Sequence, residues 1–222
     1  MASAMTQPKK PTAILISGRG SNLQSLVEAA RAKDFPAKFV IVISNRPDAP
    51  GIEWAKAQGL KTVVVDHKAY KSREAFEEDL QKALDTAGVE LIALAGFMRL
   101  MTPAFVETWR NRMINIHPSL LPAFKGLRTH EQALAAGVKI AGCTVHFVRA
   151  EMDAGPIIAQ AAVPVLTGDT PDKLASRVLE AEHRLYPAAL RLVASGRAQC
   201  HDEKVTISED VNHSAALLSP VV

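Results

Sequence analysis

Thr12-Ala13-Ile14-Leu15-Ile16-Ser17, continued by Gly18-Arg19-Gly20-Ser21-Asn22 and then by a helical pattern over residues 23–32, is the stretch that decides the fold. A short apolar run without alternation reads as a strand buried on both faces, and such strands belong to parallel sheets covered by helices. Strand, glycine turn and helix in that order make the first unit of an α/β sheet. Glycines at 18 and 20 let the backbone approach an anion. Ser21 and Asn22 add side chains and amides at a helix N-terminus, where the dipole favours negative charge. The motif is not Gly-x-Gly-x-x-Gly, because position 23 is Leu, and it has no Walker lysine. The same residues also suit a plain capping turn, so this unit alone names no ligand.

Outward from this unit the alternation of strands and helices persists. Residues 39–44 make a second apolar strand, followed by the turn Asn45-Arg46-Pro47-Asp48-Ala49-Pro50-Gly51 and a helix over 52–58, and residues 61–66 give a third strand. Ser72 caps a helix reaching residue 86, with the apolar stripe Phe76, Leu80, Ala83 and Leu84. Residues 91–97 are too apolar to alternate and predict a central parallel strand, which delivers Met98, Arg99, Leu100 and Met101 to the ligand edge. Thr102-Pro103 opens a helix to residue 110, and residues 113–117 form the next strand. A helix over 128–137, a pair of strands at 140–148 and 156–165, and a long helix capped by Thr170-Pro171-Asp172 follow, the last carrying Leu174, Val178, Ala181, Leu185 and Leu190. From Ala198 the pattern weakens to a hairpin and a tail containing Ser and Asn. The expected fold class is α/β, a Rossmann-like doubly wound, mostly parallel sheet flanked by helices. It is read as one domain over 12–198, with 1–11 and 199–222 as terminal extensions.

Composition bounds the function. With 222 residues, 48% hydrophobic and 22% charged, the chain reads as a soluble globular protein rather than a disordered one. A net charge of +3, spread among acidic residues, is compatible with an anionic small molecule and weak as a sign of nucleic acid. Cys143 and Cys200 are the only cysteines, which excludes a disulfide framework and fits a reducing cytoplasm. No apolar run approaches membrane-spanning length, and the first eleven residues lack the apolar centre of a signal peptide.

Chemistry concentrates in Asn115-Ile116-His117-Pro118-Ser119-Leu120-Leu121-Pro122-Ala123-Phe124-Lys125-Gly126. Asn115 and His117 leave one face of an extended strand while Ile116 enters the core. Pro118 ends the strand, and the expectation is an imidazole at its exposed C-terminal end, the edge where open α/β sheets bind ligands. Asp153 lies in the connecting loop Arg149-Ala150-Glu151-Met152-Asp153-Ala154-Gly155, within reach of that edge or serving only as a turn residue. Arg73, in a first helical turn, is unfavourably placed for the dipole and hints at a nearby anion, although it also reads as a solvated arginine. His130-Glu131 opens like a zinc-peptidase motif, but position 134 is Leu where a second His is needed, so no metal site is expected.

Taken together, Ser17-Gly18-Arg19-Gly20-Ser21-Asn22-Leu23, Leu94-Ala95-Gly96-Phe97-Met98-Arg99, Asn115-Ile116-His117-Pro118-Ser119-Leu120-Leu121-Pro122 and Asp153-Ala154-Gly155-Pro156, in that order, resemble the phosphoribosylglycinamide formyltransferase family. The resemblance spans residues 12–198. It implies transfer of a formyl group from the co-substrate 10-formyltetrahydrofolate to the amine of glycinamide ribonucleotide in purine biosynthesis, by direct attack without metal or covalent enzyme intermediate. It implies Asn115, His117 and Asp153 as the catalytic trio. Gly20, Ser21, Asn22 and Glu182 correspond to the ribonucleotide contacts. Arg73, Met98, Arg99, Leu100, Met101, Asn115, Arg149, Ala150, Glu151, Met152 and Asp153 correspond to the folate side. The chemistry suits these types: an amide donor and an imidazolium stabilise an oxyanion, and a histidine with a carboxylate partner moves protons. The implied partners are two small molecules, with no nucleic acid and no membrane, in a monomer or homodimer. Leu179 departs from the family, which can carry Lys or Gln there, and so puts one ribonucleotide contact in doubt.

Three rivals use similar parts. Formyltetrahydrofolate deformylase shares Asn-x-His and Asp-x-Gly-Pro, but is expected to carry an N-terminal regulatory domain for which the segment before Thr12 is too short. Methionyl-tRNA formyltransferase is expected to carry a second, RNA-binding domain beyond the last helix. A non-catalytic folate- or nucleotide-binding module is disfavoured by all three trio positions being filled.

Overall fold

The computed structural model describes residues 8–208 and Ser219, so 1–7 and most of 209–222, the outer parts of both expected extensions, lie outside the described residues. The chain runs β1 (Lys10–Ile16), α1 (Ser21–Ala29), β2 (Ala37–Ser44), α2 (Pro50–Ala57), β3 (Thr62–Val64), a single 3-10 turn (His67–Ala69), α3 (Arg73–Thr86), β4 (Leu91–Leu94), α4 (Pro103–Thr108) and β5 (Met113–His117). It continues with α5 (Thr129–Ala135), β6 (Ile140–Phe147), β7 (Ile157–Pro164), α6 (Pro171–Ala194), β8 (Ala198–His201) and β9 (Lys204–Ile207). Seven strands form one sheet in the order β3-β2-β1-β4-β5-β6-β7. Pairings from β3 through β5 are parallel, and β5–β6 and β6–β7 are antiparallel. Winding reverses between β1 and β4, which opens a crevice beyond their carboxyl ends.

The alternation inside β1 shows why an unbroken apolar run is required. Ile14 and Ile16 point to one face, where they pack with Leu23 and Leu26 of α1 and Tyr186 and Leu190 of α6, while Ala13 and Leu15 meet Phe76, Leu80 and Leu84 of α3 on the other. All four β1 residues are fully buried. A third cluster joins Ala133 of α5, Cys143 of β6 and Leu174 and Val178 of α6. Burial there pushes the Cys143 thiol up to about 12, so it is an inert core residue. Helix starts follow the sequence: Ser72, Thr102 and Thr170 accept from the backbone N–H groups of Ala75, Phe105 and Lys173 at 3.1, 3.2 and 3.3 Å. β4 is shorter than the 91–97 run because Gly96, at φ 75°, turns the chain. β8 and β9 form a hairpin whose Cys200, Val205 and Ile207 rest against the first core cluster. Among the described residues no helix is long and apolar enough to cross a membrane.

Candidate active site

The crevice between β1 and β4 is framed by the glycine loop. Gly20 stands at φ 76° as the N-terminal neighbour of α1, whose first turn has neither a side-chain cap nor an acidic residue. Its amides are therefore open to an anion. Gly51, read in the sequence only as part of a turn, packs closely against this loop: its N–H donates to the Gly18 carbonyl at 3.1 Å. A Cβ at position 51 would lie 2.6 Å from Ile16 Cδ1 and 3.0 Å from the Gly18 oxygen. Ser17 ties three strand ends together, its Oγ donating to Asn45 Oδ1 at 2.5 Å and accepting from the Met98 N–H at 2.7 Å.

Asn22 and Glu182, far apart in sequence, meet where α1 packs on α6. Asn22 Nδ2 donates to Glu182 Oε2 at 2.7 Å, and both residues are buried. Burial pushes the Glu182 carboxyl above its ordinary range, and the Asn22 bond opposes that shift. Asn22 Oδ1 is buried without a hydrogen-bond partner, an acceptor turned toward no protein donor. Leu179, one helical turn before Glu182 and His183, is half-buried.

The expectation of an exposed imidazole is corrected. His117 is only 5% exposed, because the 118–126 loop folds back over it and is pinned there by Thr144. Thr144 Oγ1 donates to the Ser119 carbonyl at 2.7 Å and accepts from the Leu121 N–H at 3.0 Å. His117 Nδ1 faces Asp153 Oδ2 at 3.5 Å, and Nε2 faces the Phe124 carbonyl at 3.0 Å. Both ring nitrogens thus face acceptor oxygens. Asp153 sits at φ 52°, a left-handed conformation that Asp tolerates, and its Oδ2 also accepts from the Gly126 N–H at 2.9 Å. The loops carrying residues 126 and 153 are thus joined at this carboxylate.

A profile of the formyl transferase family matches residues 10–190. This chain belongs to the formyl transferase family. It is 51% identical over 191 residues to the trifunctional purine biosynthetic protein adenosine-3 of Bos taurus, covering 86% of this chain and 19% of that protein, so it spans about a fifth of that relative's length. Phosphoribosylglycinamide formyltransferase of Escherichia coli strain K12 is 43% identical over 189 residues, 85% of this chain and 89% of that protein. The crystal structure of glycinamide ribonucleotide transformylase 1 from Symbiobacterium toebii superposes with a TM-score of 0.89 at 47% identity, covering 93% of this chain and 98% of that one.

The remaining predicted positions of this formyl transferase family member are not equivalent. Met98 and Leu100, in the segment that follows β4, are 72% and 55% exposed, and Met152, in the loop carrying Asp153, is 48% exposed. Met101, by contrast, is buried in the core cluster with Phe76, Phe105 and Trp109, so its side chain is a packing element. Arg99 lies 5.8 Å from the Phe76 ring centroid, with its Nε buried and unpartnered. Arg73, Ala150 and Glu151 are exposed, Glu151 pairing with Lys125 at 3.1 Å. The Arg149 guanidinium is taken up by protein acceptors, chiefly Glu203 and Asn111.

Sequence reasoning missed His146, whose place depends on strand register: β6 runs antiparallel to β5 and sets His146 opposite Asn115. Its Nδ1 donates to the Phe147 carbonyl at 3.0 Å, which leaves Nε2 to accept from Asn115 Nδ2 at 3.4 Å in the neutral ring. Burial holds His146 below the usual histidine range, outweighing the Asp153 carboxylate 3.9 Å away. The unfolded chain takes up this proton near pH 6.5 and the folded chain only at lower pH, so stability is complete above about 6.5 and is lost as pH falls through the folded value. His146→Gln should therefore flatten the fall of thermal midpoint between pH 7 and 5. Superimposable midpoint-against-pH curves for the two proteins would refute a desolvated, neutral His146.

Proposed function

We propose that this protein transfers the formyl group of 10-formyltetrahydrofolate to the amine of glycinamide ribonucleotide, as a cytoplasmic step of purine biosynthesis. The meeting of His117 with Asp153 at the carboxyl end of β5, with Asn115 on the same strand and the glycine loop at the same edge of the parallel β1–β4–β5 sheet, carries this reading. The open first turn of α1 suits a phosphate, and the orphaned Asn22 Oδ1 beside the Glu182 carboxylate suits a ligand bearing hydroxyl groups. The exposed apolar Met98, Leu100 and Met152 suit a flat heterocycle on the opposite side. Both free cysteines are compatible with a reducing compartment.

The co-substrate supplies an electrophilic formyl carbon, and the chain's own residues manage charge and protons around it. As the amine attacks, negative charge grows on the formyl oxygen, and Asn115 Nδ2 and the His117 imidazolium supply the donors that stabilise it. For His117 Nε2 to serve that oxygen, the Phe124 carbonyl must give way, since both compete for one N–H. Asp153 balances the imidazolium charge and provides, directly or through water, a route for the proton released by the attacking nitrogen. His117 gives its proton to the folate nitrogen as the carbon–nitrogen bond to it breaks, and the proton taken from the amine passes through Asp153 to restore the imidazolium.

Acceptor choice tests the reading. Mixed with 10-formyltetrahydrofolate, the protein should consume the donor rapidly with glycinamide ribonucleotide, and at least about 10²-fold more slowly with water or methionyl-tRNA. Equal donor loss in the absence of any amine would make the protein a deformylase, and no loss with any acceptor would make it a binding module.

A further inference from the structure

Two residues other than glycine adopt left-handed backbone conformations and present their side chains to the same guanidinium. The β8–β9 turn has Asp202 at φ 47° and Glu203 at φ 58°, a geometry that favours Asn-Gly and makes Glu a poor local choice at its second position. Asn111, between α4 and β5, stands at φ 56°. Glu203 Oε2 accepts from Arg149 Nε at 2.7 Å and its Oε1 from Arg149 Nη2 at 3.3 Å, while Arg110 Nη2 also donates to Oε1. Asn111 Oδ1 accepts from Arg149 Nη2 at 2.7 Å, and Arg149 Nη1 donates to the Val148 carbonyl at 2.9 Å. The Arg149 side chain is 11% exposed, with donors on all three of its nitrogens committed. A residue that breaks the turn rule marks a place where something other than local stability selects it.

Arg149 opens the loop that carries Asp153. That loop's far end is fixed by Gly155, whose backbone presses on the Phe147 carbonyl, and its near end by this clamp. We propose that Glu203, acting through Arg149, is a positioning residue that holds the 148–155 loop so that the Asp153 carboxylate stays against His117. The inference deepens the proposed function and rests on its assignment of Asp153. It also reassigns the Arg149 side chain from a ligand contact to a strut, and gives the C-terminal hairpin a part in the active site.

Glu203→Gly separates this role from hairpin stability, because glycine relaxes the turn while removing the carboxylate. Positioning predicts three results together. The thermal midpoint is unchanged or higher, kcat falls about three- to fivefold, the scale of one partly exposed ion pair, and KM for both substrates stays within about twofold. In an Asp153→Asn background Glu203→Gly should cost nothing further, since the group it positions is already disabled. Amide hydrogen exchange over residues 149–155, read without turnover, should quicken in Glu203→Gly. Wild-type kcat, an equal loss in both backgrounds, unchanged exchange, or a kcat loss accompanied by a lower midpoint would each overturn the proposal. An inactive wild-type protein would instead overturn the proposed function, with the exchange measurement still deciding whether the clamp holds the loop.

Discussion

Asp153→Asn lowers kcat by about 10² to 10⁴ and leaves ligand affinity and thermal midpoint close to wild type: this is the expected result, on the scale of a general acid–base group. Asn fits the site sterically. It adopts the left-handed backbone that position 153 requires at φ 52°, and its amide oxygen can still accept the Gly126 N–H. What it loses is the negative charge 3.5 Å from His117 Nδ1, in a site where the two side chains are 10% and 7% exposed and water screens little. A neutral amide there can neither balance charge on the imidazole nor take up a proton, which removes the carboxylate's proposed part in proton transfer. His117→Asn should fall in the same range. The double variant should be little worse than the worse single, the non-additivity expected of two residues acting as one unit. If Asp153 merely closes a turn ahead of Gly155-Pro156, Asn serves as well and kcat is unchanged. That outcome, or fully multiplicative losses in the double variant, would end the partnership.

Gly155→Ala should be the most damaging small substitution in the loop. A Cβ there would lie 1.7 Å from the Phe147 carbonyl oxygen and 2.9 Å from its carbon, both backbone atoms with no rotamer to yield. The Phe147 N–H is simultaneously held by the Pro156 carbonyl at 2.9 Å, so relief requires β6 and β7 to part where the 148–155 loop begins and ends. Overpacking of this kind costs about 3 kcal/mol, which corresponds to a fall in midpoint of roughly 6 to 12 °C for a chain of this size. Because the displaced loop carries Asp153, kcat should drop by about 10², the cost of misplacing a reacting geometry by an ångström. A midpoint and kcat both at the wild-type level would mean that β6 and β7 do not meet so closely at this junction.

Local rules account for much of the fold and part of the site. The parity of β1, the caps at Ser72, Thr102 and Thr170, the bounds of β5 and the shared face of Asn115 and His117 are all legible in the sequence, since strand period and N-cap chemistry act within a few residues. The glycine loop is legible for the same reason, and the ordered motifs carry the family. The burial of His117 is not legible, because its cover is a loop held by Thr144, on a strand whose neighbour and direction no local pattern states.

Tertiary structure decided what those residues touch. The antiparallel register of β5 and β6 set His146 against Asn115, the approach of α2 brought Gly51 against the glycine loop, and the packing of α1 on α6 joined Asn22 to Glu182. The β8–β9 turn placed the Glu203 carboxylate on the Arg149 guanidinium, a contact between segments 54 residues apart. Each of these is a contact between segments distant in the chain, which exists only once the sheet order is set and the loops have closed. By itself the sequence determined the family, the order of strands and helices and which side chains share a strand face, because motif order, residue type and strand period are local. Their mutual distances, burial and protonation were left to the fold, because those depend on neighbours that the chain brings together only at the end.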